Sequence, residues 1–145
     1  MFVEIALGSL MMGTCVLIHV VAMAWTINPI RTFSRNERRF HFRLRFLLTL
    51  LISLAVVVAV HTVSVWLWAA SFLAQGAFAE LETAVYFALA TYTTLGYGDI
   101  VIGEGLRIFA AMGAVNGLIN FGLSTAFLID VMGRFLPARH VHDEP

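Results

Sequence analysis

The sequence predicts an all-α membrane protein: three transmembrane helices, a short re-entrant helix and an extended segment after it. Three observations carry that reading. Of the 145 residues, 60% are hydrophobic and 12% charged, about half the charge of a soluble domain, and the mean hydropathy is +0.88. The apolar residues come in long charge-free runs, not in the alternation of an outer-membrane β-barrel. All nine basic residues are Arg, and they gather mainly on two stretches of chain. The length is also small for a transporter built from inverted repeats.

The first element covers residues 1–30. Between Glu4 and Arg31 lie 26 residues without Asp, Glu, Lys or Arg, about 39 Å as a helix against a hydrocarbon core of about 30 Å. The run opens on Glu4 and closes on Trp25, Asn28 and Pro29, so it reads as a retained span and not a signal peptide. Its expected role is to shield the next helix from lipid or to receive a partner. The single cysteine, Cys15, excludes an intrachain disulfide and reads as a small packing residue. Residues 31–45 follow, with Arg31, Arg35, Arg38, Arg39, Arg43 and Arg45 interleaved with Phe33, Phe40 and Phe42. Beside two spans this pattern fits a cytoplasmic loop on anionic lipid headgroups, not nucleic-acid binding.

An outer helix is expected over 46–74, inside a charge-free run from Phe46 to Ala79, with Trp66 and Trp68 near the far membrane interface. The next such stretch, Thr83 to Gly98, has only 16 residues and ends in glycine-containing backbone, too short to cross. It must enter and return, and backbone of that kind is tolerated at membrane depth only where it is buried in protein or lines a watery path. The last span is assigned to 105–132 around the 22-residue run Ile108–Ile129, and a short cytoplasmic tail, 135–145, follows.

Arg134 and Arg139 come after this span, so the tail and the 31–45 loop lie inside and the amino terminus outside a plasma or bacterial inner membrane. Gln75 to Gly105 is then external and holds Glu80, Glu82, Asp99 and Glu104 with no basic residue. Those acids either concentrate cations at a mouth or are plain solvated loop charges.

The re-entrant stretch ends Thr91-Tyr92-Thr93-Thr94-Leu95-Gly96-Tyr97-Gly98-Asp99. Carrying a bare cation through lipid means replacing its hydration shell with oxygens, and an extended backbone with inward carbonyls supplies a stack of them. Gly96 and Gly98, at alternate positions and free to take φ > 0, allow successive carbonyls to point the same way. Thr94 adds a carbonyl and a hydroxyl at the inner end. The segment resembles the selectivity filter of potassium channels, matching the pattern Thr-x-Gly-Tyr-Gly-Asp residue for residue with Leu95 at the variable position. Sodium-permeable relatives commonly alter the Tyr or the second Gly, and here Tyr97 and Gly98 are intact. The resemblance implies K⁺ ions held by Thr94, Leu95, Gly96, Tyr97 and Gly98, with no organic cofactor.

The resemblance covers roughly 46–134 and is to the pore of small prokaryotic two-span channels. It implies a pore helix at 80–92, a filter at 93–99 and an inner helix at 105–132, with Gly117 as hinge and Leu118, Phe121 and Thr125 toward the cavity. Glu80 and Glu82 suit the positive end of the pore-helix dipole. Thr93, Asp99, Tyr86, Phe87 and Ala90 fall at the positions that support the filter, and there the sequence departs from its relatives. Those carry paired tryptophans and, in some members, a Glu behind the filter. Here Tyr86 can still donate to Asp99, but Phe87 cannot hydrogen-bond Tyr97 and Ala90 offers Asp99 no partner. A filter braced more by packing is expected.

Asn116, Asn120 and Ser124 recur every four residues. The same register points them away from the cavity, beside Gly113 and Gly117, where close packing on the pore helix or a neighbouring span is expected; pore lining is the alternative. His19 and His61 lie inside spans as neutral side chains bonded to a carbonyl, or as a proton path. His140 and His142 in the tail are candidate pH-sensitive groups, and Asp130 is placed to pair with Arg134.

One strand of carbonyls coordinates one side of an ion, and the chain holds a single filter copy, so a homotetramer around a central pore is required. No catalytic nucleophile, metal cluster or phosphate loop is present, which argues against an enzyme, and no Arg-rich helix marks a voltage sensor. The expected activity is passive, potassium-selective conduction. A weakly selective cation channel and a non-conducting regulatory or assembly subunit are the alternatives.

Overall fold

The computed structural model describes residues 2–34 and 42–135. Among them are four α-helices: α1 (Phe2–Ser34), α2 (Phe42–Ala74), α3 (Leu81–Tyr92) and α4 (Arg107–Gly133), with a 3₁₀ turn, Glu104–Leu106, leading into α4. Phe2–Ile27, Phe42–Ala74 and Glu104–Gly133 are long and apolar enough to cross a membrane. The 12 residues of α3 reach only about 18 Å and do not. The chain is an all-helical, multi-pass membrane protein.

Two boundaries differ from the expectation. α1 continues past Pro29 to Ser34, and α2 begins at Phe42 instead of 46. Residues 31–34 and 42–45 of the expected loop are therefore helical. Arg is a good helix former, so a run rich in Arg does not by itself end a helix. The rest of that loop, including Arg35, Arg38 and Arg39, and the tail with His140 and His142 lie outside the described residues.

Lipid solvates the outside of such a bundle, so apolar residues alone do not define its core. The buried faces are marked by small and polar side chains instead. α1 packs against both α4 and α2, burying Cys15, His19 and Met23 at four-residue spacing while Leu10, Leu17 and Trp25 point outward. A Cβ added to Gly8 would meet the thioether of Met112, which shows how closely α1 approaches α4. The first span thus packs on both of the other two, which also touch each other, and is more than a shield for α2.

The main core joins Cys15, Val65, Trp68, Phe72, Phe87 and Phe109 around α3, and a second cluster of Met23, Val57, Phe127 and Val131 closes the α1–α2–α4 contact farther along α4. Trp68 is a correction to the expected aromatic belt. It is 1% exposed, against 50% for Trp66, and its indole Nε1–H donates to Asn116 Oδ1 at 2.9 Å. A buried indole needs an acceptor, and the polar stripe of α4 provides it.

Candidate functional site

α3 ends where its backbone stops being helical, and the end is closed by main-chain bonds. The Thr93 N–H donates to the Leu89 carbonyl at 3.0 Å, Thr94 N–H to Thr91 at 2.9 Å, and Gly96 N–H to Ala90 at 3.1 Å. The Thr93 hydroxyl also donates to the Leu89 carbonyl, at 2.7 Å. Helix termini leave carbonyls without intrahelical partners, and three of these here hold the start of the extended segment. Ala90 has no polar side chain for Asp99, as expected, yet its carbonyl anchors Gly96. That contact is invisible to reasoning about side chains.

Beyond this anchor the backbone alternates. Thr94, Gly96 and Gly98 take φ of 60°, 51° and 79°. A left-handed residue at every second position turns carbonyls of an extended chain toward one side, which a uniform β-strand cannot do. The two glycines fit the conformational freedom asked of them, and beyond the adjoining residues no atom of the chain lies within 4 Å of a Cβ added at either one. The demand within the chain is therefore conformational. Thr94 was not expected in this region, where L-residues carry a cost of about 1–2 kcal/mol. The neighbouring bonds to Thr91 and Ala90 hold it.

The segment's carboxyl-terminal end is fixed by one side-chain contact: Tyr86 Oη donates to Asp99 Oδ2 at 2.6 Å. That hydrogen bond holds the Asp99 carboxyl below the usual carboxylate range and raises the Tyr86 phenol above its ordinary value. Phe87 makes no polar bond and packs into an aromatic cluster with Phe72 and Phe78, ring centroids 5.2 and 5.1 Å apart. The support for 93–99 is thus one exposed polar clamp, a set of backbone anchors and a packed aromatic base.

On α4, Leu118, Phe121 and Thr125 are exposed in the chain, whereas Asn116, Asn120 and Ser124 are buried. The polar stripe faces inward to α1, α2 and α3. Asn116 receives the Trp68 indole, and Asn120 Nδ2 donates to Tyr92 Oη at 3.1 Å. Phe121 is not simply outward, since its ring stacks on His61 at 4.5 Å and 26°. Gly117 lies under the end of α3, and a Cβ there would overlap the Tyr92 carbonyl oxygen. Its immediate structural role is close approach. Asp130 pairs with Arg134, whose Nε lies 3.0 Å from Oδ2.

The histidines differ from expectation. Neither bonds a main-chain carbonyl in the contacts observed. His19 Nε2 and His61 Nε2 lie 2.8 and 3.0 Å from Ser124 Oγ, and His61 Nδ1 lies 2.9 Å from Tyr92 Oη. Three spans therefore meet at one serine hydroxyl beside the last residue of α3. The four-residue polar spacing on α4 was the signal for such a junction, but nothing in the sequence paired it with His19, 105 positions away.

The sequence pattern of a family described as ion channel matches residues 45–134. The match takes in nearly all of α2, then α3, the 93–99 segment and α4, and leaves α1 outside. No curated protein and no solved structure matches the chain.

Proposed function

The chain belongs to the ion-channel family, and from that premise we propose that it is a potassium-selective channel. Four copies bring their Thr94–Gly98 segments around one axis and conduct K⁺ passively through rings of backbone carbonyls. The observation that carries this reading is the alternation of left-handed φ at Thr94, Gly96 and Gly98 within an unaltered Thr-Thr-Leu-Gly-Tyr-Gly-Asp sequence. An isolated chain offers an ion one wall of oxygens and leaves the rest of its shell to be replaced, so the site is complete only with its copies. Leu118 and Thr125 then line the cavity below, bordered by Phe121, and Gly117 serves as hinge. Placing the Arg-rich 31–45 segment on the cytoplasmic face of a plasma or inner membrane puts Glu80, Glu82, Asp99 and Glu104 at the outer mouth, where they concentrate cations.

A second reading, a weakly selective cation channel, is favoured by one observation. Phe87 packs against Phe72 and Phe78 and gives no hydrogen bond to the filter. Reversal potential separates the two in planar bilayers holding the purified chain with K⁺ on one side and Na⁺ on the other. Selective conduction places it near the K⁺ equilibrium potential, and Gly96→Val abolishes the current because a β-branched residue cannot adopt φ near 51°. A potential near zero with robust current would transfer the assignment to the weakly selective reading. Current that survives Gly96→Val unchanged would remove the filter from the pathway.

A further inference from the structure

The pore needs α2, α3 and α4, so α1 has no part in the proposed conduction pathway. Its most buried polar side chain, His19, is nonetheless fully enclosed, and a buried imidazole without partners is costly. The contacts around it form a line: His19 Nε2 to Ser124 Oγ at 2.8 Å, Ser124 Oγ to His61 Nε2 at 3.0 Å, His61 Nδ1 to Tyr92 Oη at 2.9 Å, and Tyr92 Oη to Asn120 at 3.1 Å. Tyr92 is the last residue of α3, one residue before the filter and seated by its carbonyl on Gly117.

Counting protons along this line gives it a direction. A neutral imidazole has one N–H and one bare nitrogen, and a hydroxyl has one proton to give. If Asn120 donates to Tyr92, the tyrosine O–H donates to His61, whose other nitrogen donates to Ser124, which donates to His19 Nε2 and leaves the His19 N–H on Nδ1, buried without a partner. Reversing every donor gives a second consistent arrangement, once Asn120 turns its now unpartnered Oδ1 to receive the Tyr92 proton; amide orientation is interchangeable in this way. Adding a proton to His61 permits neither. Both its nitrogens then donate: relative to the first arrangement the Tyr92–Asn120 bond changes sense, and relative to the second the Ser124–His19 bond does.

We propose that His19, Ser124, His61, Tyr92 and Asn120 form one directional hydrogen-bond chain that positions the filter-side end of α3, with α1 as its far anchor, and that protonation of His61 resets it. The proposal rests on the channel reading for its consequence in current, not for its geometry. His61 is a positioning residue. The titratable groups that face it are His19 from α1 and Tyr92 from α3, with Cys15 of α1 next in the same core; α4 contributes the neutral Asn120 and Ser124. Tyr92 and His61 also border a recess of about 360 Å³ with Phe121, Leu89 and Thr93, so the chain reaches the surface of the protomer at His61. Four positive charges around the inner end of the filter oppose K⁺ entry, and acid therefore lowers conduction.

The test combines currents with histidine-selective isotope labelling of the purified full chain. Open probability is expected to fall as the pH is lowered from neutral into the acid range, where a neutral histidine gains its second proton. His61→Gln keeps a donor and an acceptor without titrating, so it should carry current with a flattened pH profile. Ser124→Ala and Tyr92→Phe should lower open probability by about tenfold, the order set by one or two lost buried hydrogen bonds. Nuclear magnetic resonance of the labelled imidazoles reads the chain without any conduction. Tyr92→Phe should move the His61 nitrogen signals, and Ser124→Ala those of both histidines. A pH profile in His61→Gln identical to that of the parent would overturn the proposal, as would imidazole signals unmoved by Tyr92→Phe. A silent parent protein whose His61 signals do move would count against the channel reading and for the chain.

Discussion

Thr94 is the one non-glycine among the described residues that sits in the left-handed region. Its strain is local and is held from one side only, by the carbonyls of Thr91 and Ala90. At the other end of the segment the hold is a single side-chain pair, Tyr86 and Asp99. Tyr86 keeps the Asp99 carboxyl ionised below the usual carboxylate range, so the stability this group contributes is present above that range and is lost as pH falls through the depressed value. The Tyr86 phenol is raised, and its contribution is present below the ordinary phenol range and lost as pH climbs through the raised value. The clamp is therefore intact across the whole neutral range. Tyr86→Phe removes the donor and should return the Asp99 titration upward toward the ordinary value, read as the infrared carboxylate band followed through acid pH. It should also lower the K⁺ to Na⁺ permeability ratio, because among the described residues no other side chain bonds Asp99. An Asp99 band that titrates as in the parent would mean the clamp does not form in the membrane.

Between elements, the decisive contact is the end of α3 on α4. Gly117 and Gly113 look alike in sequence, one turn apart on the same face, but they meet different neighbours. A Cβ at Gly113 would make ordinary contact with the Trp68 ring at 3.5 Å, whereas one at Gly117 would overlap the Tyr92 carbonyl, which is backbone and cannot swing aside. Gly113→Ala should be neutral within about 0.5 kcal/mol, and Gly117→Ala should destabilise by about 1–3 kcal/mol, the usual range for an overpacked core. Denaturant unfolding of the two variants in detergent measures the difference, and equal effects would remove the close-approach role.

These contacts mark where the sequence is legible. The three spans could be read from charge-free runs, and the 93–99 segment from its glycine spacing and motif, because length in lipid and φ > 0 are demands that few residues meet. The partners of α1 could not be read. In lipid an apolar residue facing a neighbour and one facing acyl chains are the same letter, so Trp68 reads as an interface residue until its indole is seen on Asn116. The pairing of His19 with Ser124 depends on how two helices cross, and no local pattern encodes that.

For the molecule as a whole, the surface of one chain is unfinished. Leu95 is 56% exposed, Tyr97 69% and Leu118 60%, and among the described residues no backbone N–H donates to a carbonyl of Thr94–Gly98. Buried polar groups left unpaired in hydrocarbon cost several kcal/mol each, so the proposed tetramer satisfies two needs together: it covers these side chains and closes the oxygen cage. The cage then brings like-oriented carbonyl dipoles face to face, and a cation of the right size offsets that repulsion. Tetramer stability is thereby linked to ion occupancy through RT ln(1 + [L]/Kd), about 2.7 kcal/mol when the ion is at 100 times its dissociation constant. The tetramer should melt at a higher temperature in K⁺ than in Na⁺ at equal ionic strength, and Gly96→Val should erase the difference because its filter no longer forms the cage. Thermal dissociation followed by cross-linking or native mass spectrometry reads both. Equal melting in the two salts would mean that four chains assemble without a K⁺ site, and selectivity would then have to come from outside Thr94–Gly98.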